Sequence, residues 1–139
     1  MPERLKLSLV LALGLWLVGF IWGSVVFSVP ALKAIAPINY ISSNPAISFP
    51  ILCAWVPLSY ICSKLYLKKS SSPQSEAVRL GALFAGVNIA LDLLVLVLAF
   101  RAGLGYFASL TVWLGYIILI GVPWYVGTQL QGGAVRDHR

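Results

Sequence analysis

The sequence predicts an all-α protein, a four-helix transmembrane bundle with both termini on the cytoplasmic side (N-in/C-in). Three observations predict it. Of 139 residues, 60% are hydrophobic and 10% charged, whereas a soluble domain is about one quarter charged. The charges cluster and leave long uncharged runs. The basic residues also alternate in density from one connection to the next. Arg4, Lys6, Lys64, Lys68, Lys69, Arg79, Arg136 and Arg139 fall on one side, and Lys33 and Arg101 on the other. The positive-inside rule puts the richer side, with both termini, in the cytoplasm. An even number of spans agrees, because it returns the chain to its starting side. The whole chain, 1–139, reads as a single transmembrane domain.

The first span is expected at about 5–29. It follows a short basic segment, and Leu7 to Leu32 carry no charge. A signal peptide shares the basic start, but its apolar region is only about 7–15 residues long, so a retained span is expected. Gly19 and Gly23 form a GxxxG pair that admits a close backbone neighbour, within the bundle or across a homodimer seam.

Residues Pro30 to Pro50 form a connection rich in proline and turn-forming residues, including Asn39, Tyr40, Ser42, Ser43 and Asn44. Its apolar part, 31–41, suits the membrane surface or a fold back over the bundle. The second span is expected at about 46–66. Pro57 near its centre removes one helix hydrogen bond and kinks it. Cys53 and Cys62 lie on this helix, nine residues apart. That spacing places them on opposite faces and about 13 Å apart along the axis, too far for a disulfide.

The hydrophilic linker 64–76 follows, with Ser75 expected to cap the third helix. The third span, about 79–101, holds one charge, Asp92, within about 21 apolar residues covering roughly 30 Å. Asp92 is expected near the midplane, where an ionised carboxylate costs roughly 2.5–3.5 kcal/mol on insertion scales. It should therefore face protein or water, or be protonated. Gly81, Ala85, Asn88 and Asp92 recur at helical spacing and make one small, polar face. The other faces carry Leu, Val and Phe and suit lipid.

A tight turn at 101–106 leads to the fourth span, about 107–129, which carries Thr111, Gly115 and a kink at Pro123. Trp113 and Trp124 fall near its two interfaces. Leu15 to Ile21 and Val112 to Ile117 look alike, but a duplicated hairpin would pair the first span with the third. The likeness is shared membrane composition.

Several classes lack their motifs. The single histidine, His138, lies in the tail, and no set of side chains has metal-ligand spacing. No histidine in a span can activate a serine or cysteine or ligate a haem. There is no phosphate loop. No cofactor or metal is expected. The net charge of +6 sits beside apolar spans. It fits anionic lipid headgroups at the cytoplasmic face rather than nucleic acid.

Asp92 has two readings. In one it binds a proton or cation in a small transporter, with Asn88, Tyr116 and Tyr60 as neighbouring candidates. In the other it is a polar clamp, bonded to Tyr116, Ser59, Tyr60 or backbone freed by Pro57.

Gly86-x5-Asp92 in the third span, and Phe107-x5-Trp113-Leu-Gly-Tyr116 leading to Pro123-Trp124 in the fourth, carry a resemblance. With them the chain resembles small four-span bacterial integral membrane proteins of uncharacterised function, some of them cyanobacterial. The likeness covers most of the chain and implies a four-span fold, with no activity to transfer. Small multidrug exporters share the size and span number, but their essential acid lies in the first span, where this chain has none.

The leading expectation is a non-enzymatic integral membrane protein, an accessory or assembly subunit of a homodimer or larger complex. A proton- or cation-coupled transporter using Asp92 is the alternative, and a membrane enzyme acting on lipid the third. The expected location is a bacterial inner (plasma) or thylakoid-type membrane.

Overall fold

Helix 1 (α1) runs from Pro2 to Ser28 and has no proline beyond its first position. Val29 bends the chain without breaking the ladder. Its N–H donates to the Val25 carbonyl at 3.0 Å, and the Lys33 N–H donates to the Val29 carbonyl at 2.9 Å. The short helix α2, Pro30–Ile35, thus extends α1 with a proline at its first position, where the missing N–H costs nothing. The computed structural model describes residues 2–35 and 44–136. Pro37, Asn39, Tyr40, Ser42 and Ser43 of the proline-rich connection lie outside them, as do His138 and Arg139.

Helix α3 spans Pro45–Leu67. Asn44 caps it, its side-chain oxygen accepting from the Ala46 N–H at 3.0 Å. Pro45 occupies the first turn, as favoured there. Pro50, read from the sequence as part of the connection, lies inside the helix together with Pro57. A proline this near the N-terminus leaves most of the ladder intact.

Helix α4 begins at Pro73, three residues before the start that a Ser75 cap would give, with Ser72 at the cap position. Ser75 is therefore not the cap. Its hydroxyl donates to the Ser72 carbonyl at 3.2 Å. The Pro73 ring fixes the first helical φ and starts the helix before the apolar run begins. At Leu91 the α-helix ends, and Asp92–Ala99 continue as a π-helix, in which bonds run between residues five apart. Asp92 and Val97, five residues apart, are the buried residues of this segment. With the helix running from Pro73 to Ala99, Asp92 lies towards its C-terminal end.

The segment ends in a left-handed turn. Arg101 has φ 56° and Gly103 φ 79°. The Ala102 N–H closes back on the Leu96 carbonyl at 3.1 Å. Leu104–Ala108 form a 3-10 turn, so helix α5, Leu110–Arg136, starts three residues later than the apolar pattern suggests. Four helical segments, Glu3–Ser28, Pro45–Leu67, Pro73–Ala99 and Leu110–Gly133, are long and apolar enough to cross a membrane. Among the described residues there is no strand.

The packing suits lipid outside. Leu7, Leu13, Ile21, Leu94, Leu98 and Ile117 are exposed, while Ser8, Ser59, Ser63, Asn88 and Asp92 are buried with the core. Between α4 and α5 the backbones approach closely. A Cβ at Gly81 would lie 2.9 Å from the Ile120 carbonyl oxygen, and one at Gly127 would lie 2.9 Å from that of Pro73. Small residues at such crossings are the usual device of membrane helices. At the opposite end of the molecule from Arg101, Arg4 forks onto Glu76 at 2.7 and 2.9 Å and donates to the Lys69 carbonyl at 2.5 Å. The N-terminus and the 68–76 linker thus share one end of the bundle.

Candidate functional site

The face read from the sequence turns inward. Gly81, Ala85, Asn88 and Asp92 are all buried. Asp92 is 6% exposed, and its carboxylate collects donors from three parts of the chain. Trp16 of α1 donates its indole N–H to Oδ1 at 2.8 Å. Tyr116 of α5 donates to Oδ2 at 2.5 Å, and Tyr106 of the 3-10 turn donates to the same oxygen at 3.3 Å. An indole can only donate, and a phenol hydroxyl can bond a carboxyl oxygen in either protonation state. The arrangement is that of a carboxylate held by neutral donors. Burial and the neighbouring Asp92 charge push the Tyr106 phenol above its ordinary pKa, which keeps it a donor.

No described basic side chain forms an ion pair with the Asp92 carboxyl, although Arg101 lines the same cavity. Among the described residues the only ion pair is Arg4 with Glu76. No group of three His, Cys, Asp or Glu stands together among them.

Asp92 lines a cavity of about 450 Å³. The walls come from the second half of α1 (Trp16, Gly19, Phe20, Gly23), the first half of α3 (Ile51, Leu52, Trp55), the π-helix (Leu96, Phe100) and the start of α5 (Val112, Tyr116). Arg101 is at its rim and exposed. Trp16 stacks on Phe20 with centroids 5.0 Å apart, and Phe20 meets Phe100 at 6.1 Å. The cavity therefore has an aromatic wall and one anionic group. It occupies the end of the bundle where α1 ends, α3 begins and the 100–109 connection lies.

Two glycines make room for one wall. A Cβ at Gly19 would stand 3.0 Å from the Trp55 ring, and one at Gly115 closer still. The Trp55 N–H donates to the Leu15 carbonyl at 3.0 Å, so this indole ties α1, α3 and α5 together. Gly19 is thus filled from within the same bundle, and Gly23 lines the cavity.

The remaining candidates fall elsewhere. Asn88 donates to the Phe84 carbonyl at 2.8 Å and the Ala12 carbonyl at 3.4 Å. It bonds backbone rather than the Asp92 carboxylate, and its own Oδ1 is buried without a partner. Tyr60 does not reach Asp92; the Lys64 ammonium lies 5.7 Å from its ring centroid. Ser59 is buried, with its hydroxyl unpartnered. Pro57 is exposed and lines no part of the cavity, while Pro123 is fully buried in α5. Cys53 and Cys62 are free thiols.

Trp16, Trp55, Tyr106 and Arg101 escaped the sequence reading of the site. One signal was available. Tryptophan in membrane proteins concentrates at the interfaces, and its N–H needs a partner when buried. Trp16 and Trp55 each stand near the middle of a span, which marks them as donors in search of an acceptor.

Fold and site together define a multi-pass integral membrane protein with a partly open cavity that one buried carboxyl group lines. Comparison with protein-family models, with curated proteins and with solved structures returns no match.

Proposed function

We propose that this chain is a non-enzymatic membrane carrier of the small cation-coupled kind, with Asp92 as the group that binds the coupled or carried cation. One observation carries the reading: a buried carboxylate, held by neutral donors and without an ion-pair partner among the described residues, borders a cavity large enough for a ligand. Ionisable residues inside spans mark ion or substrate pathways by default. Both termini and the 67–73 linker face the cytoplasm in this reading, with the basic residues there against anionic lipid headgroups. The cavity then opens towards the opposite side of a bacterial inner or thylakoid-type membrane. The resemblance to small four-span bacterial membrane proteins agrees with the size and span number.

The test is charge movement in proteoliposomes on a solid-supported membrane. Concentration jumps of protons, sodium, potassium and alkylammonium ions are expected to give a transient current with at least one of them. Asp92→Asn should abolish it. Silence with every cation contradicts the carrier.

A second reading has its own observation. The three donors to Asp92 come from α1, α5 and the 3-10 turn, so the carboxylate also clamps the bundle. In an accessory or assembly subunit that clamp would be the whole role. Asp92→Asn would then lower stability slightly and leave copurifying partners in place.

A further inference from the structure

The donor set around Asp92 separates classes of cation. Resting on the carrier reading, we infer that the ligand of this cavity is an organic ammonium with an apolar body, not a metal ion. A carboxylate offers about four acceptor positions. Here Oδ2 takes two donors and Oδ1 takes one, which leaves a single position on Oδ1. A hard cation such as sodium, calcium or magnesium needs several converging oxygens; calcium, for example, takes about 6–8. The groups that surround Asp92 are N–H and O–H donors with their hydrogens turned towards it. Asp92 is the one carboxylate among the described lining residues, so no second carboxylate stands beside it to share a metal ion.

The rest of the wall suits the organic class. Trp16, Phe20, Trp55 and Phe100 present ring surface to the same space. A weakly hydrated ammonium gains from aromatic faces, most of all when desolvated, and its apolar body gains from the Leu and Val side chains. A metal ion would surrender its water to a wall that cannot replace it. The volume, about 450 Å³, is also far more than a bare ion occupies. Arg101 at the rim carries the ligand's own sign. It is exposed, where salt screens it.

The test is equilibrium binding of benzyltrimethylammonium to the purified full chain in nanodiscs. Neopentylbenzene, of the same shape without the charge, and sodium chloride are the comparison probes. Saturable binding of one benzyltrimethylammonium per chain is expected, undiminished by matched sodium and at least tenfold weaker in Asp92→Asn. Leu96→Trp, which fills the cavity while Asp92 and its three donors are all retained, should weaken it as strongly and serves if Asp92→Asn does not fold. Arg101→Gln should strengthen it a few-fold. Equal affinity for the neutral probe would overturn the inference, because the cavity would then be a lipid-filled void. Competition by sodium at Asp92, with a sodium-driven current and no organic binding, would overturn the ammonium class while the carrier stands. No binding and no current would sink both.

Discussion

At the residue scale, Asp92 organises the molecule through three hydrogen bonds. Tyr116 makes the shortest of them, and its ring also meets Trp113 edge-on at 5.8 Å. Tyr116→Phe keeps that ring contact and removes only the O–H. Measured hydrogen bonds between membrane helices average about 0.6 kcal/mol and reach about 1.7. Tyr116→Phe should sit at the upper end, because its loss leaves a charge less well solvated, and reversible unfolding in mixed micelles would read it. The acid itself, its neighbour Asn88 and their shared face were legible in the sequence, because a lone charge in an apolar run must turn inward. Its partners were not. A donor on α1 pairs with an acceptor 76 residues away, and spacing along one helix carries no information about which neighbour faces it. The partners of Asn88 were hidden for a related reason. Its amide was free to satisfy local carbonyls, as Asn commonly does.

At the element scale, the third span shows where pattern reading stops. Its length and apolar character were evident, but the change from α- to π-helix at Asp92 leaves no mark in Leu-Leu-Val-Leu-Val-Leu. The exit from this segment is strained. Arg101 holds a left-handed φ of 56°, which costs a side-chain-bearing residue roughly 1–2 kcal/mol. Arg101→Gly should stabilise the chain by about 0.5–1 kcal/mol, once the added freedom of glycine in the unfolded chain is subtracted. A fall in stability would mean that the Arg101 side chain holds the turn. The α4–α5 crossing supplies a paired test. Gly81→Ala places a methyl against Ile120 backbone and should cost about 1–3 kcal/mol, the usual range for overpacking. Gly86→Ala meets nothing within 4 Å, so it should be neutral or gain up to about 1 kcal/mol from helix propensity. Equal effects at the two positions would contradict the crossing described.

At the scale of the whole molecule, the bundle is apolar outside and keeps a few polar side chains within a mostly apolar core, with its cavity at one end and its basic residues concentrated at the other. The number of spans was readable because each requires about 20 apolar residues. Their ends were less so, because Pro73 and the 3-10 turn at 104–108 start helices on backbone chemistry rather than hydropathy. Orientation is tested with single cysteines at Ser71 and Gly105, in a background lacking Cys53 and Cys62. A membrane-impermeant thiol reagent applied to intact cells should label the Gly105 position and spare the Ser71 position. Labelling of both would break the four-span arrangement. The most direct test concerns the carboxylate itself. The chain has two aspartates, Asp92 and Asp137, so selective ¹³C labelling of aspartate carboxyls gives two resonances, and Asp92→Asn identifies one. Titrating benzyltrimethylammonium into the labelled protein should move the Asp92 resonance saturably and leave that of Asp137 in place. An Asp92 resonance that stays still with this ion, and with protons, sodium and potassium, would contradict cation binding at this site.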